Sequence, residues 1–234
     1  MCKLFLSFNN DPNTSKNDTM NFLSQTFSEP FSTDGFGIAY ISNNKWHVYK
    51  NHTTYDKDDI IVKLLDKINT SVLIGHVRYI CPSCSPNINY ENTHPFIHGN
   101  NVFIHNGLLF DFNINKITKY IDEEYFKCIK GDTDSEYMFY LLLSLKNKYK
   151  KCNYNKLMNK YFEILKKLFT KFYANIIFTD GNSIVVTRYA NGLEKPIPLY
   201  YNKVKKGSVL ISSKPIKEKY KLIPINKIIV FSNL

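Results

Sequence analysis

The order in which apolar periodicities arrive along this chain constrains its fold most: strands, one helix, strands, two helices, then strands to the end. A parallel sheet needs strands and helices in alternation, because each parallel strand is reached by a crossover. Strands that follow one another directly pair antiparallel. The expected fold is therefore α+β, with antiparallel sheets and helices outside them.

Lys3 to Phe8 alternates as a strand at the extreme N-terminus. Residues 9 to 34 are rich in Asn, Asp, Ser and Thr and read as a long loop with one short helix near Phe22. Gly35 to Ser42 and Trp46 to Lys50 read as a hairpin about Asn43-Asn44. Asp58 to Ile68 has helical spacing, and Ser71 to Val77 is a short strand. A proline-bearing loop over 80 to 95 follows. Val102 to His105 then runs as a strand into a turn at Asn106-Gly107, and Asp111 to Tyr125 reads as a helix. Thr133-x-x-Glu136 is a capping-box signature opening a helix that carries Met138, Leu141, Leu142 and Leu145 inward. A lysine-rich helix from Asn155 to Phe172 has Leu157, Tyr161, Leu165, Leu168 and Phe172 on one face. Asn175 to Thr179 and Ser183 to Tyr189 flank the tight hairpin Asp180-Gly181-Asn182, and strands at Ser208 to Ser213 and Lys227 to Phe231 close the chain.

With 234 residues, 44% of them apolar and 15% aromatic, one domain over 1–234 with a substantial core is expected. The formal net charge of +11 invites a nucleic-acid partner, but nearly all of it is lysine; Arg78 and Arg188 are the two arginines. Readers of phosphate and base edges rely on the paired bonds of arginine, so the composition argues against nucleic acid. It also singles out the two places where arginine was used. Five cysteines (Cys2, Cys81, Cys84, Cys128, Cys152) without repeated spacing make no disulfide framework. No apolar run approaches the roughly 20 residues that span a bilayer, and no apolar leader opens the sequence. A soluble protein in the reducing cytoplasm, with no membrane contact, is expected.

Cys2 is the first candidate for chemistry. Removal of Met1 would leave a thiol and a free α-amine on one residue. That amine, with an unperturbed pKa of about 7.7–8.0, suits a general base. On position alone, a small residue opening a strand is the simpler account. Four other segments change the odds: Gly75-His76-Val77-Arg78-Tyr79, Asn92-Thr93-His94-Pro95-Phe96, His105-Asn106-Gly107 and Gly131-Asp132-Thr133-Asp134-Ser135-Glu136. In this order after Met-Cys, and with Asp34-Gly35-Phe36-Gly37-Ile38-Ala39, they resemble the class II glutamine amidotransferases, of the N-terminal nucleophile hydrolase superfamily. The match is closest to the small stand-alone branch that includes the amidase subunit of the glutathione-degradation complex. Asp180-Gly181, Thr187-Arg188 and Ser212-Ser213-Lys214-Pro215 extend it more loosely, so that it covers nearly the whole chain.

The resemblance implies a four-layer α-β-β-α sandwich, with Cys2 at the start of a central strand and Arg78 and Asn106-Gly107 at neighbouring strand ends. It implies that Cys2 attacks a γ-glutamyl amide and forms a thioester. Asn106 and the Gly107 backbone N–H would form the oxyanion hole. Arg78 would hold the substrate carboxylate, Asp134 its ammonium, and Tyr79 and His94 would line the pocket. Asp34-Gly35 would lie beside the N-terminal residue. The implied partner is a small molecule, glutamine or another γ-glutamyl compound such as glutathione, with a separate ammonia acceptor or partner subunit as a second partner. No cofactor and no metal are called for. Cys81-Pro82-Ser83-Cys84 has no second pair and no histidine at zinc spacing. The chain departs from the family where Ile80-Cys81-Pro82 follows Tyr79, in place of small residues, and where Lys214 replaces an acidic residue. A catalytically silent binding or regulatory subunit keeping the fold is the competing class.

Overall fold

The structure, a computed structural model, describes residues 2–8, 12–27, 34–43, 45–53, 58–79, 87–193, 195–205, 208–216 and 218–232. The Cys81–Cys84 pair and residue 1 lie outside these. Among the described residues no helix is long and apolar enough to cross a membrane.

Two antiparallel sheets face each other. The first contains β1 (Lys3–Phe8), β2 (Phe36–Ser42), β3 (Lys45–Asn51), β4 (Val72–Val77), β9 (Tyr200–Lys205), β10 (Ser208–Ser212) and β11 (Lys221–Leu222), in the order β11-β9-β10-β1-β4-β2-β3. The second contains β5 (Phe96–His98), β6 (Asn101–Leu109), β7 (Phe172–Thr179), β8 (Ser183–Asn191) and β12 (Lys227–Ser232), in the order β12-β8-β7-β6-β5. Outside the first sheet lie α1 (Pro12–Phe27) and α2 (Asp59–Lys67). Outside the second lie α5 (Asp134–Lys148) and α6 (Tyr154–Leu168), with the short helices α3 (Ile114–Ile117) and α4 (Glu123–Phe126) before them.

Successive strand side chains point to opposite faces, and three cores follow from that alternation. Leu4 and Leu6 of β1, Val72 and Ile74 of β4, and Val209 and Ile211 of β10 meet Val102 and Ile104 of β6 between the sheets. Phe5 and Leu73, on the opposite face, pack against Phe22 and Leu23 of α1 and against Ile61 and Leu65 of α2. Phe103, Ile176 and Phe178 of the second sheet pack against α5 and α6. The result is an α-β-β-α sandwich.

The local differences from expectation have physical causes. Residues 12–27 form one helix where a mostly irregular segment was expected. Its sequence is polar, but Phe22 and Leu23 are fully buried and the Phe22 ring stacks on Phe5 at 5.0 Å, so tertiary packing overrides weak propensity. Asp111 to Tyr125 breaks into α3, a 3₁₀ turn over Thr118–Tyr120 and α4. Phe172 belongs to β7, not to the helical face; α6 ends at Leu168. Thr133 Oγ1 accepts from the Glu136 N–H at 3.4 Å, but the Glu136 carboxylate bonds the Lys130 and Gly131 N–H groups, so the capping box is not reciprocal. Finally, Asn106-Gly107 is not a turn and not a strand end: β6 continues to Leu109, with Asn106 opposite Asn175 and Gly107 opposite Ala174.

Candidate active site

The inward-facing rows between the sheets change from apolar to polar at one end of the sandwich. Leu6 and Leu4 lead to Cys2; Val72, Ile74 and His76 lead to Arg78; Val209 and Ile211 lead to Ser213; Val102 and Ile104 lead to Asn106. Register holds three of these ends together. Lys3 lies opposite Val77, so Cys2 adjoins Arg78, and Ser213 donates its N–H to the Leu4 carbonyl at 3.0 Å. Asn106 meets them from the other sheet. The rows end on a cavity of about 650 Å³ whose lining includes Cys2, Arg78, Tyr79, His94, Asn106, Gly107 and Asp134. All seven residues singled out from the sequence thus share one cavity.

Cys2 is half-buried. Its Sγ accepts the Tyr79 N–H at 3.3 Å and donates to the Tyr79 carbonyl at 3.3 Å. Burial pushes its thiol pKa up, opposed by the Tyr79 N–H and the Arg78 charge. The resting group is therefore a thiol. Arg78 is 4% exposed; Nη2 donates to the Asn87 carbonyl at 3.1 Å, while Nη1 faces no acceptor among the described residues. Its backbone N–H bonds the Gly35 carbonyl at 2.8 Å, so the Asp34-Gly35 segment meets the arginine directly. Burial lowers the Arg78 pKa, and the charges of Cys2, Asp34 and Asp132 offset part of that.

Asp134 sits in the first turn of α5, where the helix dipole favours a carboxylate. Its Oδ2 accepts the Leu109 N–H at 2.9 Å and its Oδ1 the Ser135 hydroxyl at 3.1 Å, which ties the helix start to β6. At Gly107 a Cβ would stand 2.1 Å from the Tyr173 carbonyl oxygen and 2.2 Å from His105 Nε2, so glycine is required by close approach. Asn106 is 1% exposed and donates from Nδ2 to Ser213 Oγ at 3.3 Å.

Three buried histidines cluster here: His94 and His105 line the cavity and His76 lies beside them. His94 packs on His76 at 4.1 Å and edge-on to Phe96 at 4.6 Å, and neither of its ring nitrogens has a partner among the described residues. His76 Nε2 contacts the His105 carbonyl oxygen at 3.1 Å across the sheets. Burial lowers all three, His76 to about 3, so each is neutral at physiological pH.

Sequence reasoning assigned no role to three groups. Asn92 lines the cavity; its amide bonds the Asn87 carbonyl at 3.1 Å and Asp132 at 2.6 Å, bracing the acceptor that holds Arg78. Its presence in the Asn92-to-Phe96 segment was the available signal. The Lys195–Pro198 stretch forms a further wall, held by Arg188, whose Nε donates to the Ile197 carbonyl at 3.0 Å and Nη1 to the Ile223 carbonyl at 2.7 Å. Arg188 thus braces this wall through its guanidinium. Ser213 links two strands, and no local pattern announces that.

The fold is an α-β-β-α sandwich with a cavity at one end of its two sheets, and sequence comparison assigns the chain to a family. Residues 1–196 match the family model of the class II glutamine amidotransferases, and the chain belongs to that family. It is 31% identical over 127 residues to the probable glutamine amidotransferase DUG3 of Saccharomyces cerevisiae, an alignment covering 51% of this chain and 35% of that protein. It is 32% identical over 125 residues to a putative glutamine amidotransferase of Haemophilus influenzae, covering 51% of this chain and 39% of that one. The alignments thus take in well under half of each curated relative. Among solved structures, a glutamine aminotransferase class-II domain protein from Silicibacter pomeroyi superposes with a TM-score of 0.70 at 17% identity, over 99% of this chain and 95% of that one. The glutamine phosphoribosylpyrophosphate amidotransferase of B. subtilis gives 0.64 at 17% identity, over 99% of this chain and 47% of that one. At such identities the likeness is one of fold.

Proposed function

We propose that this protein is a cysteine amidase that hydrolyses a γ-glutamyl amide, glutamine or a γ-glutamyl peptide, through a thioester on Cys2. The observation that supports this is the shared cavity: the Cys2 thiol, the Asn106 carboxamide, Gly107, the Arg78 guanidinium and the Asp134 carboxylate line one space. Met1 is removed and the freed α-amine accepts the thiol proton. The sulfur bonds the amide carbon, and charge gathers on the carbonyl oxygen. Asn106 Nδ2–H and the Gly107 N–H stabilise that oxygen; one such donor is worth about 10²–10³ in rate. The amine returns the proton to the leaving nitrogen, which departs as ammonia or as the amine of a peptide. Water then cleaves the thioester, releasing the γ-carboxylate and restoring the thiol.

Arg78, whose Nη1 has no acceptor among the described residues, pairs with the substrate α-carboxylate. Asp134, each oxygen of which accepts one bond from the protein, takes the α-ammonium. Tyr79 and His94 complete the pocket. Residues 1–234 act as one amidotransferase domain in a reducing, cytoplasmic setting that keeps Cys2 a thiol. The ammonia either leaves or passes to a separate acceptor subunit.

The test compares purified protein with Cys2→Ala on glutamine, glutathione and γ-glutamyl dipeptides, with intact mass reporting the N-terminus. Turnover is expected only with Cys2, and only with Met1 gone. Equal rates in the two proteins, or activity with Met1 attached, defeat the proposal.

A further inference from the structure

We propose that Ser213 is a positioning residue of this amidase, whose hydroxyl fixes the Asn106 carboxamide relative to the strand that carries Cys2. This rests on the amidase reading above. β10 ends at Ser212, and Ser213 continues its register opposite Leu4. One rung there is ordinary: the Ser213 N–H donates to the Leu4 carbonyl at 3.0 Å. In the reciprocal rung the Leu4 N–H donates to Ser213 Oγ at 3.0 Å, a side chain in place of a backbone carbonyl.

A hydroxyl oxygen accepts two bonds. The second comes from Asn106 Nδ2 at 3.3 Å. Leu4 belongs to the seven-stranded sheet and Asn106 to the five-stranded one, so a single oxygen joins the sheets two residues from the nucleophile. The junction is shielded from water: Leu4 is 0%, Asn106 1% and Ser213 7% exposed. Asn106 has two amide hydrogens. One is held by Ser213, which leaves the other for the cavity that Asn106 lines with Cys2. Ser213 is not among the cavity-lining residues, so its effect on a developing oxyanion passes through Asn106. Preorganised donors act because they need no reorientation during the reaction, and this bond supplies that orientation.

A double-mutant cycle of Ser213→Ala and Asn106→Ala, assayed for kcat and KM on L-glutamine and on γ-glutamyl-p-nitroanilide, tests this. Ser213→Ala is expected to lower kcat about 10- to 100-fold with KM changed less than about twofold. In the Asn106→Ala background it is expected to do nothing further. Ser213→Cys, which keeps the shape but accepts poorly, enters the same cycle, so a folding failure of the alanine variant leaves the question decidable. Ser213→Thr, which keeps the hydroxyl, is expected to recover most of kcat. A folded Ser213→Ala or Ser213→Cys protein with parental kcat overturns the inference, as do losses that multiply in the double variant. A parental protein inactive on every γ-glutamyl amide overturns the amidase reading itself, and this inference with it.

Discussion

Under the proposed function, Arg78 is one side chain that serves both fold and chemistry. Its guanidinium spends one nitrogen on the Asn87 carbonyl and leaves another without an acceptor among the described residues, a division that lysine, a point charge, does not reproduce. Arg78→Lys is therefore expected to raise KM for a γ-glutamyl amide about 10- to 100-fold while kcat changes little, the mark of lost ground-state binding. Steady-state kinetics checks this; a fall confined to kcat would contradict the assigned role. Arginine at this position in a lysine-rich chain was legible in the sequence. Gly107 stood out in the sequence as a glycine. What excludes a side chain there is the Tyr173 carbonyl of the next strand, a contact between residues far apart in the chain.

Among the elements, α1 departs furthest from local expectation. It has no acidic residue in its first turn and no basic residue in its last, so packing is what holds it. Phe22, stacked on Phe5 and 1% exposed, is the anchor. Phe22→Ala is expected to destabilise the protein by about 3–5 kcal/mol. Ser24→Ala, on the exposed side of the same helix, should stay within about 0.5 kcal/mol. Urea denaturation midpoints measure both, and similar values would mean that α1 is not held through Phe22. By contrast α2, capped by Asp58 whose Oδ1 accepts from the Ile60 and Ile61 N–H groups at 3.0 and 3.1 Å, was readable from its spacing.

For the whole molecule, the two sheets close over buried neutral histidines, and that gives stability a pH dependence. His76 titrates at about 3 in the fold and near 6.5 when unfolded. Between those values the unfolded chain binds the proton and the fold does not, so unfolding is favoured as pH falls. The stabilisation is complete above about pH 6.5 and is lost progressively below it, at up to about 1.4 kcal/mol per pH unit per histidine. His94 and His105 are lowered by burial too and add in the same direction. Denaturation midpoints are expected to drop steadily from pH 7 to pH 5, with a smaller slope in His76→Gln. A flat profile would mean that these rings are hydrated in solution.

The sequence by itself determined the architecture and which residues would meet in the cavity. Period-2 rows and helical spacing are local properties, and the order of the elements was enough to exclude a parallel sheet. Cys2, Arg78, Asn106, Gly107 and Asp134 stood out because their segments match a family in order and composition. Tertiary structure alone decided where β6 ends, whether residues 12–27 are helical, and that Ser213 joins Leu4 to Asn106. Each of these depends on a partner distant in the chain: β7 for the strand, Phe5 for the helix, the opposite sheet for the hydroxyl. Local propensity carries no information about such partners, because the free energy that settles the outcome is gained only when the two sheets and their helices meet.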